Sequence, residues 1–182
     1  MRNETSKRDF DDLRVMLVED DEYNASIFKG VAGSVGLHQI AEYTNAKSAL
    51  ANIRLSGAPD ILFVKFGEKL SQPLQLCRLI RNRESFPHPF MPIVAIMERA
   101  TVANVTAVRD VGVDEFLACP FSPKSLKERI NSIVYDRRGF VAVPEYFGPD
   151  RRRGAMAKWL GADRRSEPSE LINPVTEEMY VG

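Results

Sequence analysis

The residues of this 182-residue chain best equipped for chemistry are its C-terminal arginines. Arg151-Arg152-Arg153 and Arg164-Arg165 form two clusters, with Trp159, the single tryptophan, between them and Tyr146-Phe147 upstream. Guanidinium forks grip phosphates or carboxylates through paired hydrogen bonds and stack on flat rings. Arginines interleaved with aromatics can therefore hold a nucleotide or single-stranded nucleic acid. The stretch Gly148-Pro149-Asp150-Arg151-Arg152 is echoed thirteen residues later by Gly161-Ala162-Asp163-Arg164-Arg165, a twofold-repeated Gly-X-Asp-Arg-Arg motif. The first expectation is that these arginines pair with the acids of the tail or with acidic surface nearby; docking of a partner protein and capture of an anionic nucleotide come after it. Other chemistries are poorly supplied. Cys77 and Cys119 suit neither a disulfide scaffold nor a zinc site, and His38 and His88 are isolated, so enzymes built on metals or a histidine triad lack support.

The 44% apolar and 27% charged content is that of a globular chain, which argues against wholesale disorder. Twenty-five basic and twenty-five acidic side chains cancel, so overall charge points to neither nucleic acid nor an acidic membrane. The balance is uneven along the chain. Residues 137–165 carry eight bases against three acids, whereas residues 166–182 carry four glutamates and no base. No apolar run approaches the roughly 18 residues that span a bilayer, and Met1–Leu13 is too polar for a secretory signal. A cytoplasmic protein without a membrane partner is expected.

The elements that must position these groups alternate regularly. Val15–Val18, Ile40–Tyr43, Ile61–Val64, Ile93–Ile96 and Glu115–Ala118 read as strands, most of them apolar on both faces. Between and after them lie helical patterns: Asn24 to Val35 (Ile27, Val31, Val35), a helix capped by Asn45 (Ala46, Ala49, Leu50, Ile53), Leu74 to Ile80, a face of Val102, Val105 and Val108, and a last helix capped by Ser122 and opened by Pro123 (Leu126, Ile130, Ile133, Val134). Five β-then-α units predict an α/β fold, a doubly wound parallel five-stranded sheet. Ligands of such folds sit at the carboxyl ends of the strands.

Val15-Met16-Leu17-Val18-Glu19-Asp20-Asp21, Pro59-Asp60-Ile61-Leu62-Phe63-Val64, Pro92-Ile93-Val94-Ala95-Ile96 and Gly112-Val113-Asp114-Glu115-Phe116-Leu117-Ala118-Cys119-Pro120-Phe121 resemble, in order and spacing, the receiver domains of bacterial response regulators, the CheY-like family. The resemblance implies a flavodoxin-like (βα)5 fold. In the family, phosphoryl transfer to an aspartate after strand three is assisted by Mg²⁺ on two acids after strand one, by a hydroxyl after strand four and by a lysine after strand five. Carried over by position, the acid pair is Glu19 and Asp20. The phosphoacceptor position is Lys65, the hydroxyl position Met97 and the lysine position Cys119, while the aromatic switch position keeps a ring as Phe116. Lysine forms no acyl phosphate, methionine donates no hydrogen bond and cysteine carries no fixed positive charge. Lys65 is expected to pair with Glu19 and Asp20 and so to replace a metal. The family also implies a cis bond at Cys119-Pro120. The segment Tyr146 to Arg153 following such a domain is similar to tails of alphaproteobacterial receiver proteins, a likeness that implies no function.

The expected organisation is an N-terminal extension over 1–12, a receiver-like domain over 13–136 and a largely irregular, arginine-rich then acidic tail over 137–182. The function read from this is a non-enzymatic signal-transduction protein, a pseudo-receiver without Mg²⁺ or other cofactor. Its partners would be a kinase, another receiver or an effector, met through the family's helix 4–strand 5–helix 5 face (Thr101–Asp110, Glu115–Ala118, Lys124–Tyr135), a face that also serves homodimers. The alternative is a sensor of an anionic nucleotide, such as a cyclic dinucleotide, through the arginine tail. A conventional phosphorelay receiver ranks third. Cys77 is expected to be a buried small hydrophobe, and His38 and His88 to be exposed.

Overall fold

The computed structural model describes residues 10–151, 170–174 and 179–180. Strands β1 (Arg14–Val18), β2 (Gln39–Tyr43), β3 (Ile61–Phe66), β4 (Ile93–Met97) and β5 (Glu115–Ala118) form one parallel sheet in the order β2-β1-β3-β4-β5. The five-stranded α/β expectation holds. Helices α1 (Glu22–Gly33), α2 (Ala46–Ser56), α3 (Ser71–Ile80), α4 (Val102–Asp110) and α5 (Pro123–Tyr135) alternate with the strands. The sheet is apolar on both faces, so each face has its own core. One gathers Met16, Leu62, Val64, Phe66, Ile80 and Met97, and the other Val15, Leu17, Phe28, Phe63, Ile96 and Ile130.

Helix starts follow local chemistry. The side chains of Asp21, Asn45, Thr101 and Ser122 each accept from a backbone N–H in the first turn that has no helical partner, and Ser122 and Ser125 complete a reciprocal box. Two helices begin earlier than expected. The Asp21 cap draws α1 back to Glu22, and Pro73 sits in the first turn of α3, where its missing N–H costs no bond. Two faces are also corrected. Ala25, Phe28 and Ala32 are the buried positions of α1, leaving Ile27 45% exposed, and Val102, at the first residue of α4, is 85% exposed while Val108 is buried. Cys77 is fully buried, which pushes its thiol up to about 12. His38 and His88 are exposed, with His38 Nε2 3.5 Å from Asp11.

The expectation of a largely irregular tail is wrong in part. Strands β6 (Phe140–Val143), β7 (Tyr146–Pro149), β8 (Glu170–Ile172) and β9 (Met179–Tyr180) form a second, antiparallel sheet in the order β7-β6-β8-β9. Leu171–Ile172, part of the tail expected to be largely irregular, pairs with Phe140–Val141. This pairing joins segments about thirty residues apart, and strands of two to four residues leave little periodicity to read.

The β6–β7 hairpin is fastened to the amino-terminal pole of the parallel sheet through buried charge. The Arg81 guanidinium donates to Asp114 Oδ2 at 2.7 Å, to the carbonyls of Pro89 and Met91 at 2.7 Å and to that of Gly112 at 2.8 Å. Arg137 donates to Asp114 Oδ1 at 3.1 Å from both Nε and Nη2, and the backbone N–H of Ile93 donates to Oδ2 at 2.9 Å. Both guanidinium carbons lie close to the Phe140 ring, at 5.2 and 5.1 Å from its centroid. Removing Asp114 strands two cations in a dry pocket. Asp114→Ala is expected to lower the unfolding free energy by about 3–5 kcal/mol, read from urea denaturation, and a loss below about 1 kcal/mol would show that the pocket is wet.

Candidate functional site

Parallel strands deliver their carboxyl ends to one edge, and the strand order reverses between β1 and β3, where such folds open a crevice. Glu19 follows β1 and is fixed there by its backbone N–H, which donates to the Tyr43 carbonyl at 3.0 Å. Lys65 lies near the end of β3, and Glu98 is the first residue after β4. The Lys65 Nζ donates to Glu19 Oε2 at 3.3 Å and sits 2.7 Å from Glu98 Oε1. The Lys65 and Glu19 side chains are 9% and 5% exposed, against 44% for Glu98, so the ammonium is enclosed on the Glu19 side and reaches water past Glu98. Asp20, the other half of the expected acid pair, is exposed and makes no ion pair among the described residues. Lys65 therefore pairs with Glu19 and Glu98, not with Glu19 and Asp20.

The two carboxylates leave a different electrostatic imprint on each group. Burial raises the pKa of Glu19, and the opposing pull of the Asp21 N–H and of Lys65 does not fully offset it. Burial lowers that of Lys65, but the hydrogen bond to Glu98 and the charge of Glu19 more than reverse it, so the ammonium is held above its ordinary value. Lys65 is protonated throughout the physiological range. The cleft in front of it, about 550 Å³, is lined by polar groups including Asp20, Asp21, Asn45, Glu68 and Gln72.

The other expected site residues divide. Met97 is 2% exposed and belongs to a core rather than to the cleft. Phe116 is half-buried and packs against that same core. Cys119 borders a smaller, more apolar cleft of about 290 Å³ that also touches Lys65, Glu98 and Phe121; burial pushes its thiol up while Lys65 pulls it down. The Cys119-Pro120 bond is cis. Arg151 is at the opposite pole, 3.3 Å from Asp110 Oδ1, with its guanidinium carbon 4.1 Å from the Tyr146 ring centroid. That contact is of the expected kind, an arginine on acidic receiver surface. Arg152, Arg153, Trp159, Arg164 and Arg165 lie outside the described residues. The residue that sequence reasoning missed is Glu98. No local signal marks it: only the pairing of β4 with β3 brings the acid directly after β4 beside Lys65.

Residues 15–131 match the family model of the response regulator receiver domain. The chain belongs to that family. Its receiver domain is 20% identical over 122 residues to the chemotaxis protein CheY1 of Helicobacter pylori (67% of this chain, 97% of the relative) and 24% identical over 121 residues to CheY of Pseudomonas aeruginosa (66% and 95%). Among solved structures, a putative response regulator from Chloroflexus aurantiacus superposes with a TM-score of 0.59 at 23% identity (66% of this chain, 96% of that one). The receiver domain of the sensor histidine kinase PA1611 from Pseudomonas aeruginosa, which holds a magnesium ion in its active-site cleft, superposes with 0.56 at 19% (65% and 94%). The protein is thus a receiver-domain protein of signal transduction. Among the described residues no helix is long and apolar enough to cross a membrane.

Exchanging Lys65 for an apolar side chain leaves Glu19 buried without its cation, so its carboxyl titrates still higher. A carboxyl raised in the folded state loses stability as pH climbs from its unfolded value, ordinarily 4.5, through the folded one. The stability deficit of Lys65→Met relative to wild type is therefore expected to grow from pH 4 to pH 7. Thermal or urea unfolding at several pH values measures it, and a deficit that is flat or shrinks over that interval contradicts the pairing.

Proposed function

We propose that this protein is a non-enzymatic pseudo-receiver that signals by binding other proteins, with Lys65 standing at the phosphoacceptor position. The observation that carries this is the Lys65 ammonium held between Glu19 and Glu98 at the carboxyl edge of the sheet. A protonated amine offers no carboxylate for an acyl phosphate. Met97 donates no hydrogen bond to a phosphoryl oxygen, and Cys119 supplies no fixed positive charge.

The donor set does not fit the Mg²⁺ that receiver domains use. Two unit charges about 4 Å apart interact by about 4 kcal/mol at an effective dielectric near 20, and a divalent ion beside Lys65 would meet roughly twice that as repulsion before screening. The ammonium already neutralises the carboxylate that a metal would share.

A receiver without a chemical switch retains its surfaces. Of the residues of α4, β5 and α5, Val102 is 85% and Tyr135 45% exposed, and Phe116 is half-buried. We assign this face to a kinase, a receiver or an effector of a two-component pathway. The nucleotide alternative gains nothing from Arg151, whose guanidinium is engaged by Asp110 and Tyr146.

Intact-mass measurement after incubation with acetyl phosphate and Mg²⁺ tests the reading. Wild type is expected to gain no phosphate adduct, and Lys65→Asp little or none, because Met97 and Cys119 remain. Calorimetry is expected to show no saturable Mg²⁺ binding at millimolar concentration. A base-labile phosphate on any carboxylate of the wild-type cleft would falsify the proposal.

A further inference from the structure

Helix α4 is the least anchored of the five α-helices. Among its residues only Val108 is buried, whereas α1, α3 and α5 each bury three and α2 buries two. A helix in a protein owes most of its stability to the apolar face it buries, so α4 is the one that opens at least cost. Its carboxyl end carries a further penalty. Asp110 puts a negative charge on the last turn, where the helix dipole already presents unpaired carbonyls.

The β6–β7 hairpin converges on that end. Arg151 lies 3.3 Å from Asp110 Oδ1, joining Arg109 of the same helix at 3.1 Å, and its guanidinium carbon rests on the Tyr146 ring. Tyr146 is fixed in turn, since its hydroxyl donates to the Pro149 carbonyl at 2.8 Å. One residue past the helix cap two backbones touch. A Cβ placed on Gly148 would stand 2.7 Å from Gly112 Cα, and one placed on Gly112, at φ +84°, would meet the Phe147 carbonyl oxygen at 2.8 Å. Only glycine permits that approach. The hairpin also holds the neighbouring helix ends. Phe147 packs against Phe90 and Phe140, with ring centroids 5.1 and 5.3 Å away, under the guanidinium of Arg83, which follows α3. Arg138, which follows α5, donates to the Asp150 carbonyl at 2.9 Å.

We propose that the β6–β7 hairpin is a brace for α4: it clasps the carboxyl end of that helix to the ends of α3 and α5, and α4 loosens when the hairpin leaves. The tail thus supplies the anchorage that the helix's own face lacks. Release of the hairpin then acts as a switch for the surface to which α4 belongs, and whatever draws the hairpin away shifts α4 toward its open state without touching Lys65. That consequence rests on the assignment of the α4, β5 and α5 face to partners; the brace itself does not.

Hydrogen–deuterium exchange of the full chain, followed by mass spectrometry of its peptides, reads the opening of each helix separately. Phe147→Ala with Arg151→Ala removes the aromatic anchor and the ion pair without creating a clash. In this variant the α4 peptide, residues 102–110, is expected to exchange about tenfold or more faster than in wild type. Helices α1 and α2, whose residues make none of these contacts, are expected to change by less than about twofold. An equal rise in every helix would mean general destabilisation, and no rise in α4 would mean that the helix stands by itself; either result overturns the proposal. If circular dichroism shows that the double variant does not fold, Arg151→Ala alone, at an exposed position, takes its place. It is expected to speed the α4 peptide about threefold, the cost of an uncompensated acid at a helix carboxyl end, and an unchanged rate overturns the proposal. The measurement involves neither a partner nor phosphate, so its outcome is separate from that of the acetyl phosphate test.

Discussion

A charged amine at the end of a buried central strand must be neutralised where it stands. Lys65 has one fully enclosed carboxylate on one side and a half-exposed one on the other, supplied by the residues that follow β1 and β4. The strand order makes this compulsory: β3 runs between β1 and β4, so whatever follows those two strands faces the end of β3. Burial resists ionisation of Glu19, and the ammonium answers it, while two carboxylates keep the ammonium charged. The carboxyl edge of the sheet is thereby organised around a covalently attached monovalent cation.

The opposite pole is organised by the reverse arrangement, one carboxylate shared by two guanidinium groups. Asp114 precedes β5 and accepts from Arg81, from Arg137 and from the Ile93 backbone. The guanidinium planes then serve as a floor for Phe140, so the charge cluster and the hairpin's aromatic cluster of Phe90, Phe140 and Phe147 are parts of one packing unit. A fork with five donors can satisfy a carboxylate and several carbonyls at once, which a lysine there could not. The tail is held by what α3 and the turns around β4 and β5 expose, and the contact of Arg151 with Asp110 ties it to α4 as well.

Much of the fold was legible locally. The apolar runs of β1, β3 and β4 need helices on both faces, and the caps at Asn45 and Ser122 mark helix starts by a chemistry confined to three residues. Faces were less legible than elements: Ile27 and Val102 fit a helical period yet point to solvent, because a period says which residues share a side and not which side is covered. At the site, Lys65 and Glu19 could be named from their positions after the strands. Glu98 and Asp20 could not be ranked, since two neighbouring acids differ only in which of them the sheet register turns toward the amine.

By itself the sequence determined the alternation of strands and helices, the presence of a lysine near the end of the third strand, and the repeat in the tail, because each depends on residue type and short spacing. Tertiary structure alone decided that Glu98 completes the cage of Lys65, that Arg81 and Arg137 share Asp114, and that Phe140 and Ile172 lie in one small sheet. Those pairings close loops of about 20 to 35 residues, and nothing in a local window records which distant group will arrive to satisfy a buried charge or an open strand edge.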